Sequence, residues 1–127
     1  MTWTHGQFHW NELMTRDVAR AKKFYADTMG WTYDAMPMPG GGTYTLAMAG
    51  GKPAAGIFDI SGAEYKGVPE SWMPYIAVDD VDARVKKATA AGAKVMKPAF
   101  EIPNVGRIVI LLEPGGAGVG WMTPANT

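Results

Sequence analysis

The chain has 127 residues, of which 47% are hydrophobic, and its twelve basic residues balance twelve acidic ones. The length fits one domain, and the absence of cysteine excludes disulfides, thiolate metal sites and cysteine nucleophiles. The balanced charge argues against a nucleic-acid partner, and no apolar run approaches the roughly 20 residues that span a bilayer. Because no export signal is recognisable either, we expect a cytoplasmic protein without nucleic-acid or membrane partners.

The first half of the chain predicts a strand, a helix and three further strands. Phe8–Thr15 has the composition of a strand, and Asp17 can cap the helix that follows. Apolar residues then recur at helical spacing as far as Gly30, a typical helix stop. Pro37–Gly42 predicts a turn or loop. Short runs between glycines and prolines predict the three later strands, at Trp31–Tyr33, Thr43–Met48 and Ala55–Ile60.

The second half repeats this order. Pro74–Val78 predicts a strand, Asp79 or Asp80 can cap a helix, and Gly92 can end it. Three strands are again predicted after the helix, at Ala93–Met96, Arg107–Leu112 and Val119–Thr123.

A common offset relates the two halves. Asp17 precedes Asp79 by 62 positions, and Gly30 precedes Gly92 by the same number. This repeat indicates two copies of one βαβββ unit. Two such units would form an α+β fold, in which a curved, half-open barrel of mixed β-sheet carries the helices outside and a cleft within.

The order of the predicted elements also gives the boundaries of the two copies. We expect a single domain with units at about 6–60 and 72–124, joined by a linker at 61–71. A ferredoxin-like domain is the main alternative, and it predicts fewer strands after each helix.

Three segments carry motifs in a characteristic order. Glu12–Asp17 leads into a helix that contains Phe24 and Tyr25, Tyr75–Asp82 joins a strand to a helix start, and Gly106–Gly116 joins a strand to a Glu-Pro-Gly-Gly turn. This order resembles the vicinal oxygen chelate superfamily, which includes glyoxalases, bleomycin resistance proteins and extradiol dioxygenases. A glyoxalase-like subgroup is similar at two further segments, Trp10–Thr15 and Pro39–Tyr44.

The resemblance implies where a metal ion would bind. Metal-dependent members hold a divalent ion with His, Gln or Glu from the first, fourth, fifth and eighth strands, and the ion acts as a Lewis acid. Three of the equivalent positions are Trp10, Met73 and Gly120, and the fourth lies within 55–59. Indole, thioether and glycine are not ligands for such an ion. We therefore expect no metal and no other cofactor, with a non-standard site at His9 or Asp59 as the alternative.

Strand alternation predicts which side chains face the cleft. With Leu13 on the helix side of its strand, Glu12 lies on the opposite, concave side. Glu12 is a candidate general base, or alternatively pairs with Arg107 or the backbone, and Arg107 could bind an anionic group or close a salt bridge. The full set of candidate ligand-binding residues is Trp10, Glu12, Met14, Trp72, Met73, Tyr75, Arg107 and Met122.

Three functions compete at this point. The first is a protein that binds a small apolar or aromatic molecule in a metal-free cleft, as bleomycin resistance proteins bind their drug. The second is a glyoxalase-like lyase, isomerase or dioxygenase-type enzyme with a displaced metal site or with Glu12 as base, and the third is an interaction module. The missing ligands favour binding, and exposed strand edges favour a homodimer.

Overall fold

The computed structural model describes residues 2–38 and 40–125. It divides into two compact units, which we call the first unit (Asn11–Trp72) and the second unit (Met1–Trp10 with Met73–Thr127). No helix in the described part of the chain is long and apolar enough to cross a membrane.

Among its described residues the first unit contains one helix, a 3-10 helix, three strands and the larger part of β1, whose residues 8–10 belong to the second unit. Its strand order is β2-β3-β4-β1, with β4 parallel to β1 and the other pairs antiparallel. The elements are β1 (Phe8–Thr15), α1 (Val18–Met29), β2 (Thr32–Pro37), β3 (Thr43–Ala49), β4 (Lys52–Asp59) and a 3-10 helix (Ala63–Tyr65).

Both ends of α1 are fixed by the residues that the sequence indicates. The Asp17 carboxylate accepts a hydrogen bond from the Arg20 amide at 2.9 Å, which satisfies a donor that the first helical turn leaves open. Gly30 has φ 73°, and its amide donates back to the carbonyls of Ala26 and Tyr25. Because L side chains rarely adopt this left-handed conformation, glycine is well suited to end the helix here.

The second unit repeats the layout. Its strand order is β5-β8-β7-β6, with β5 parallel to β8 and the other pairs antiparallel. The elements are β5 (Ser71–Ala77), α2 (Val81–Ala90), β6 (Lys94–Ile102), β7 (Gly106–Leu112) and β8 (Gly118–Pro124).

A well-packed core joins α2 to the sheet of the second unit. Asp80 is the helix cap, because its carboxylate accepts from the Ala83 amide at 3.1 Å. The apolar side of α2 then covers alternate positions of the strands. The buried members of this core are Val78, Val81, Ala88, Val109, Leu111 and Val119.

The α+β class, the two βαβββ units and both helices are confirmed. Three strands follow each helix, which excludes the ferredoxin-like alternative. The strands that extend furthest beyond their predicted ranges are β2, which continues to Pro37, and β6, which continues to Ile102. Pairing with β3 and β7 supplies cross-strand hydrogen bonds that override the local proline signals. In the predicted turn Pro37–Gly42, Pro39 lies outside the described residues.

Candidate functional site

The two faces of the first-unit sheet differ in character. On the helix side, Leu13, Ala21 and Tyr25 line a shallow cleft of about 240 Å³ together with neighbouring side chains. The predicted orientation of Leu13 toward the helix is therefore confirmed, and alternation turns Glu12 to the opposite side. We call that opposite side the helix-free face of the first unit; it includes Glu12, Met14, Tyr44, Gly56, Phe58 and Tyr65.

Glu12 occupies the middle of the helix-free face. Only 8% of its surface is exposed, and it lies opposite Gly56 in the parallel pairing of β1 with β4. A Cβ atom on Gly56 would overlap the hydroxyl of Tyr44, so glycine is the residue that lets this phenol lie across the strand. A buried carboxylate and a tyrosine hydroxyl thus converge on one strand position.

Tyr65 adds a second phenol to this face. Its ring meets the ring of Phe58 edge-to-face, with centroids 5.6 Å apart. Burial raises the pKa of the Tyr65 hydroxyl above its ordinary value, and the charges of Glu64 and Glu12 raise it further. The hydroxyl is therefore neutral over the physiological pH range and can both donate and accept a hydrogen bond.

The second unit presents a matching face with a tyrosine in the position that Glu12 holds in the first unit. Ile76 packs with the α2 core, so alternation turns Met73 and Tyr75 away from the helix. Both are buried, at 8% and 7% exposure. Tyr75 lies opposite Gly120, and a Cβ on that glycine would come within 2.8 Å of the Tyr75 ring. Met122, also buried, faces the same way two positions further along β8.

The donors at the inherited metal positions do not fit a divalent ion. Trp10 and Met73 offer no suitable lone pair, and at Gly120 the Tyr75 ring occupies the space in which a ligand side chain would begin. The fourth position lies within 55–59, where Tyr44 covers Gly56 in the same way and Asp59 is the only carboxylate. No group of three or more His, Asp or Glu side chains that could hold a metal ion occurs within residues 2–38 and 40–125.

The two residues considered for a non-standard site lie at exposed positions. His9 is exposed on β1. The Asp59 carboxylate accepts a hydrogen bond from the Ser61 amide at 2.7 Å. Hydrogen bonding by the Ser61 side chain, and then by its amide, lowers the pKa of Asp59. Asp59 therefore closes the turn after β4.

Arg107 lies on the helix side of its strand. Its guanidinium donates two hydrogen bonds to the Asp82 carboxylate of α2, at 2.9 and 3.1 Å, and lies 3.6 Å from Glu101. This bidentate pair lowers the pKa of Asp82. Of the two roles considered for Arg107, the salt bridge is the one observed, and alternation along β7 and β8 separates Arg107 from Met122.

Trp72 also lies away from the predicted set. Its indole N–H donates to the Tyr25 hydroxyl at 3.2 Å, and its ring meets the rings of Tyr25 and Trp31 edge-to-face. Period-two alternation explains this placement, because Trp72 is one residue before Met73 and therefore points to the other side of β5.

The structure thus gathers only part of the predicted set on each helix-free face. Glu12 and Met14 lie on the face of the first unit, Met73, Tyr75 and Met122 on that of the second unit, and Trp10 is a partly buried residue of the second unit. Sequence reasoning missed Tyr44 and Tyr65. The signal for Tyr44 was the strand glycine Gly56, since a glycine inside a strand often marks a close approach.

Comparison with known proteins identifies the family of this chain. Residues 7–120 match the family described as the Glyoxalase/Bleomycin resistance protein/Dioxygenase superfamily. The chain is 45% identical over 116 residues to "Putative glyoxylase CFP32" of Mycobacterium bovis, covering 91% of this chain and 44% of that protein. It is 32% identical over 119 residues to "Anthracycline biosynthesis protein DnrV" of Streptomyces peucetius, covering 85% and 43%. The chain therefore spans less than half the length of these two relatives.

A solved structure shares the fold. Methylmalonyl-CoA epimerase from Mycobacterium tuberculosis superposes with a TM-score of 0.61 over 99% of this chain and 94% of the epimerase, at 18% sequence identity.

Proposed function

Because the chain belongs to the Glyoxalase/Bleomycin resistance protein/Dioxygenase superfamily, we propose that it binds a small, flat, apolar or aromatic molecule without a metal ion. The site we assign is the helix-free face of the first unit. One observation carries the proposal: tyrosine rings stand over the strand glycines Gly56 and Gly120, and Gly120 is a position at which the family resemblance implies a metal ligand. An aromatic ring at such a position is better suited to stack against a flat molecule than to bind a metal ion that acts as a Lewis acid.

The composition of the face supports this class of ligand. Tyr44, Phe58 and Tyr65 offer ring surfaces, and Met14 is a flexible, polarizable side chain that adapts to different shapes. A well-placed aromatic contact contributes roughly 0.5–1.5 kcal/mol beyond the area it buries. Glu12 would orient a hydroxyl or other donor group of the ligand, since an ionised carboxylate only accepts hydrogen bonds.

The name of one relative favours fused aromatic rings. DnrV is named for the biosynthesis of anthracyclines, whose ring systems are flat and carry hydroxyl groups. A planar hydroxylated polycycle is therefore the first probe to try. Its flat rings could stack on the aromatic side chains of the face, and its hydroxyls could donate hydrogen bonds to Glu12.

Calorimetric titration with 1,8-dihydroxyanthraquinone, in the presence of EDTA, tests the proposal. We expect saturable binding that EDTA does not change and that Tyr44→Ala weakens about tenfold, which corresponds to about 1.4 kcal/mol. Trp72→Phe is the matched control, because Trp72 lies against Tyr25 on the other side of the sheet. Absence of binding to a panel of planar compounds, or equal losses in both variants, would refute the site.

The burial of Glu12 favours a second candidate, an enzyme that uses this carboxylate as a general base. A lyase, isomerase or dioxygenase-type reaction of the superfamily would then require turnover of the bound compound. Glu12→Gln keeps the shape of the side chain and removes its basicity. Turnover by the natural protein that this variant loses would support catalysis, whereas binding without turnover would support the first candidate.

A homodimer remains part of the proposal. β2 ends the strand order of the first unit and exposes Met36 to 42%, so its unpaired edge is available to a second chain. Multi-angle light scattering over a hundredfold range of concentration would reveal the dimer, and a monomer throughout that range would contradict it.

A further inference from the structure

We propose that Tyr65 determines which ligands the helix-free face of the first unit accepts, and that Arg16 positions Tyr65 by holding the segment Ser61–Glu70 in place. We call this segment the strap. The role of Tyr65 in selecting ligands rests on the proposed function, whereas the positioning role of Arg16 can be measured without any ligand.

Arg16 holds the middle of the strap. Its guanidinium donates hydrogen bonds to the backbone carbonyls of Tyr65, at 3.0 Å, and Val68. The Val68 amide in turn donates to the Tyr65 carbonyl at 3.0 Å. One arginine side chain therefore closes the turn that carries Tyr65, and these charge-assisted bonds are stronger than bonds between neutral groups.

The two ends of the strap are tied to the end of β1. The Ile60 amide, just before the strap, donates to the Thr15 carbonyl at 2.9 Å. At the far end, Glu70 accepts from the Thr15 hydroxyl at 2.7 Å and from the Arg20 guanidinium at 2.6 Å. These bonds fix where the strap begins and ends, so Arg16 acts on a segment whose ends are already placed.

Polar ties rather than apolar packing hold the strap. Within Ser61–Glu70 only Tyr65 and Val68 are partly buried, and the other residues are exposed. A segment with so few buried apolar contacts opens at low cost unless hydrogen bonds hold it. The position of Tyr65 should therefore depend on Arg16 more than on the surrounding core.

Tyr65 is placed where it can select ligands. Its ring stands edge-on to Phe58, which lies opposite Met14 on the parallel strand pair. Its hydroxyl is close enough to Glu12 for the carboxylate charge to raise its pKa. The Tyr65 ring would limit the size of a planar molecule bound on this face. Removal of the ring should therefore allow bulkier compounds to bind.

The ligand-free test compares Arg16→Gln with Arg84→Gln. Arg84 is a matched control, since it forms an exposed two-bond pair with Asp79 in the other unit. We expect hydrogen exchange of the Val68 amide to become about tenfold faster in Arg16→Gln only. The ionisation of Tyr65, followed by ultraviolet difference spectra and assigned with Tyr65→Phe, should move toward the ordinary pKa of tyrosine as burial decreases.

Unchanged exchange and unchanged tyrosine ionisation in a folded Arg16→Gln protein would overturn the positioning role. If that variant does not fold, Arg16→Lys provides the milder test, because it keeps the positive charge while an ammonium group cannot reproduce the planar hydrogen-bond geometry of the guanidinium. Faster exchange at Val68 in Arg16→Lys would support the positioning role, and protection equal to that of the natural protein would overturn it.

The ligand-dependent test is a double-mutant cycle with the planar probe. Tyr65→Ala should weaken probe binding about tenfold and relax discrimination against bulkier analogues, while Tyr65→Phe should retain discrimination. If Arg16 acts through Tyr65, adding Arg16→Gln to Tyr65→Ala should cause no further loss. Additive losses would refute the coupling. Failure of the natural protein to bind any probe would refute the proposed function and the selecting role of Tyr65, and the exchange experiment would still decide the role of Arg16.

Discussion

The two units share one layout but differ in the residue that lies opposite a strand glycine in their parallel strand pair. In the first unit the residue opposite the glycine of the last strand is Glu12, across from Gly56. In the second unit it is Tyr75, across from Gly120. Each glycine leaves room for a tyrosine ring, but only the first unit keeps a buried carboxylate there. The comparison therefore concentrates the candidate chemistry in the first unit.

The two helices also differ, because α2 is packed more closely against its sheet than α1. α2 buries Val81 and Ala88 against its sheet, whereas α1 buries only Ala21 and leaves Phe24 57% exposed. The second unit thus has the better-packed helix and the first unit has the more open one. A division of this kind, with stability in one copy and a site in the other, is what a duplicated unit permits.

The largest effect should come from the core behind α2. Leu111 is 1% exposed, so Leu111→Ala should lower the free energy of unfolding by about 2–5 kcal/mol through lost burial and a residual cavity. Phe24→Ala on α1, an exposed position, should cost less than about 1 kcal/mol. Urea unfolding of both variants measures the difference. Equal losses would mean that the two helices are equally well anchored.

Substitution of the two strand glycines should produce a smaller difference in stability. Gly120→Ala would press a methyl group against the buried ring of Tyr75, which overpacking predicts to cost about 1–3 kcal/mol. Gly56→Ala meets only the far end of the Tyr44 side chain, which can move aside, so it should cost less stability and chiefly weaken binding. Thermal unfolding of both variants, with probe titration, provides the check. A larger stability loss at Gly56 would reverse the comparison.

The carboxylate should affect binding more than folding. We expect Glu12→Gln to weaken the binding of a hydroxylated planar probe about tenfold, which corresponds to roughly 1.4 kcal/mol. The binding of the matching compound without hydroxyls should remain nearly unchanged. The natural protein and the variant are titrated with 1,8-dihydroxyanthraquinone and with anthraquinone. Equal weakening of both compounds would show that Glu12 supports the shape of the face and does not orient a polar group.

The smallest effect should come from an exposed ion pair of the second unit. Hydrogen bonds from Arg84 lower the pKa of Asp79 from 3.8 to about 2. Because the folded-state pKa is lowered, the pair stabilises the protein above the unfolded value and its contribution is lost as the pH falls toward about 2. Arg84→Gln should therefore shift the urea midpoint slightly near neutral pH and progressively less as the pH falls toward about 2. A difference that persists in acid would point to packing of the arginine stem.

The sequence indicated the βαβββ repeat well, because the signals involved are local. Asp17 and Gly30 cap one helix as predicted, and Asp80 caps the other. Strand alternation also oriented Leu13 and Glu12 correctly, since each sheet has one helix-covered face. The family resemblance, based on motif order, is confirmed by the match over residues 7–120.

The candidate site depended on contacts that no local pattern encodes. Arg107 found its partner 25 positions away in Asp82, and Trp72 packed against Tyr25, 47 positions away. Tyr44 and Tyr65 joined Glu12 because strand register and the strap brought them there. Sequence by itself determined the elements and their repeat, since these follow from residue type and spacing. Tertiary structure alone decided which side chains share a face, because that choice depends on strand pairing and on hydrogen bonds between residues far apart in the chain.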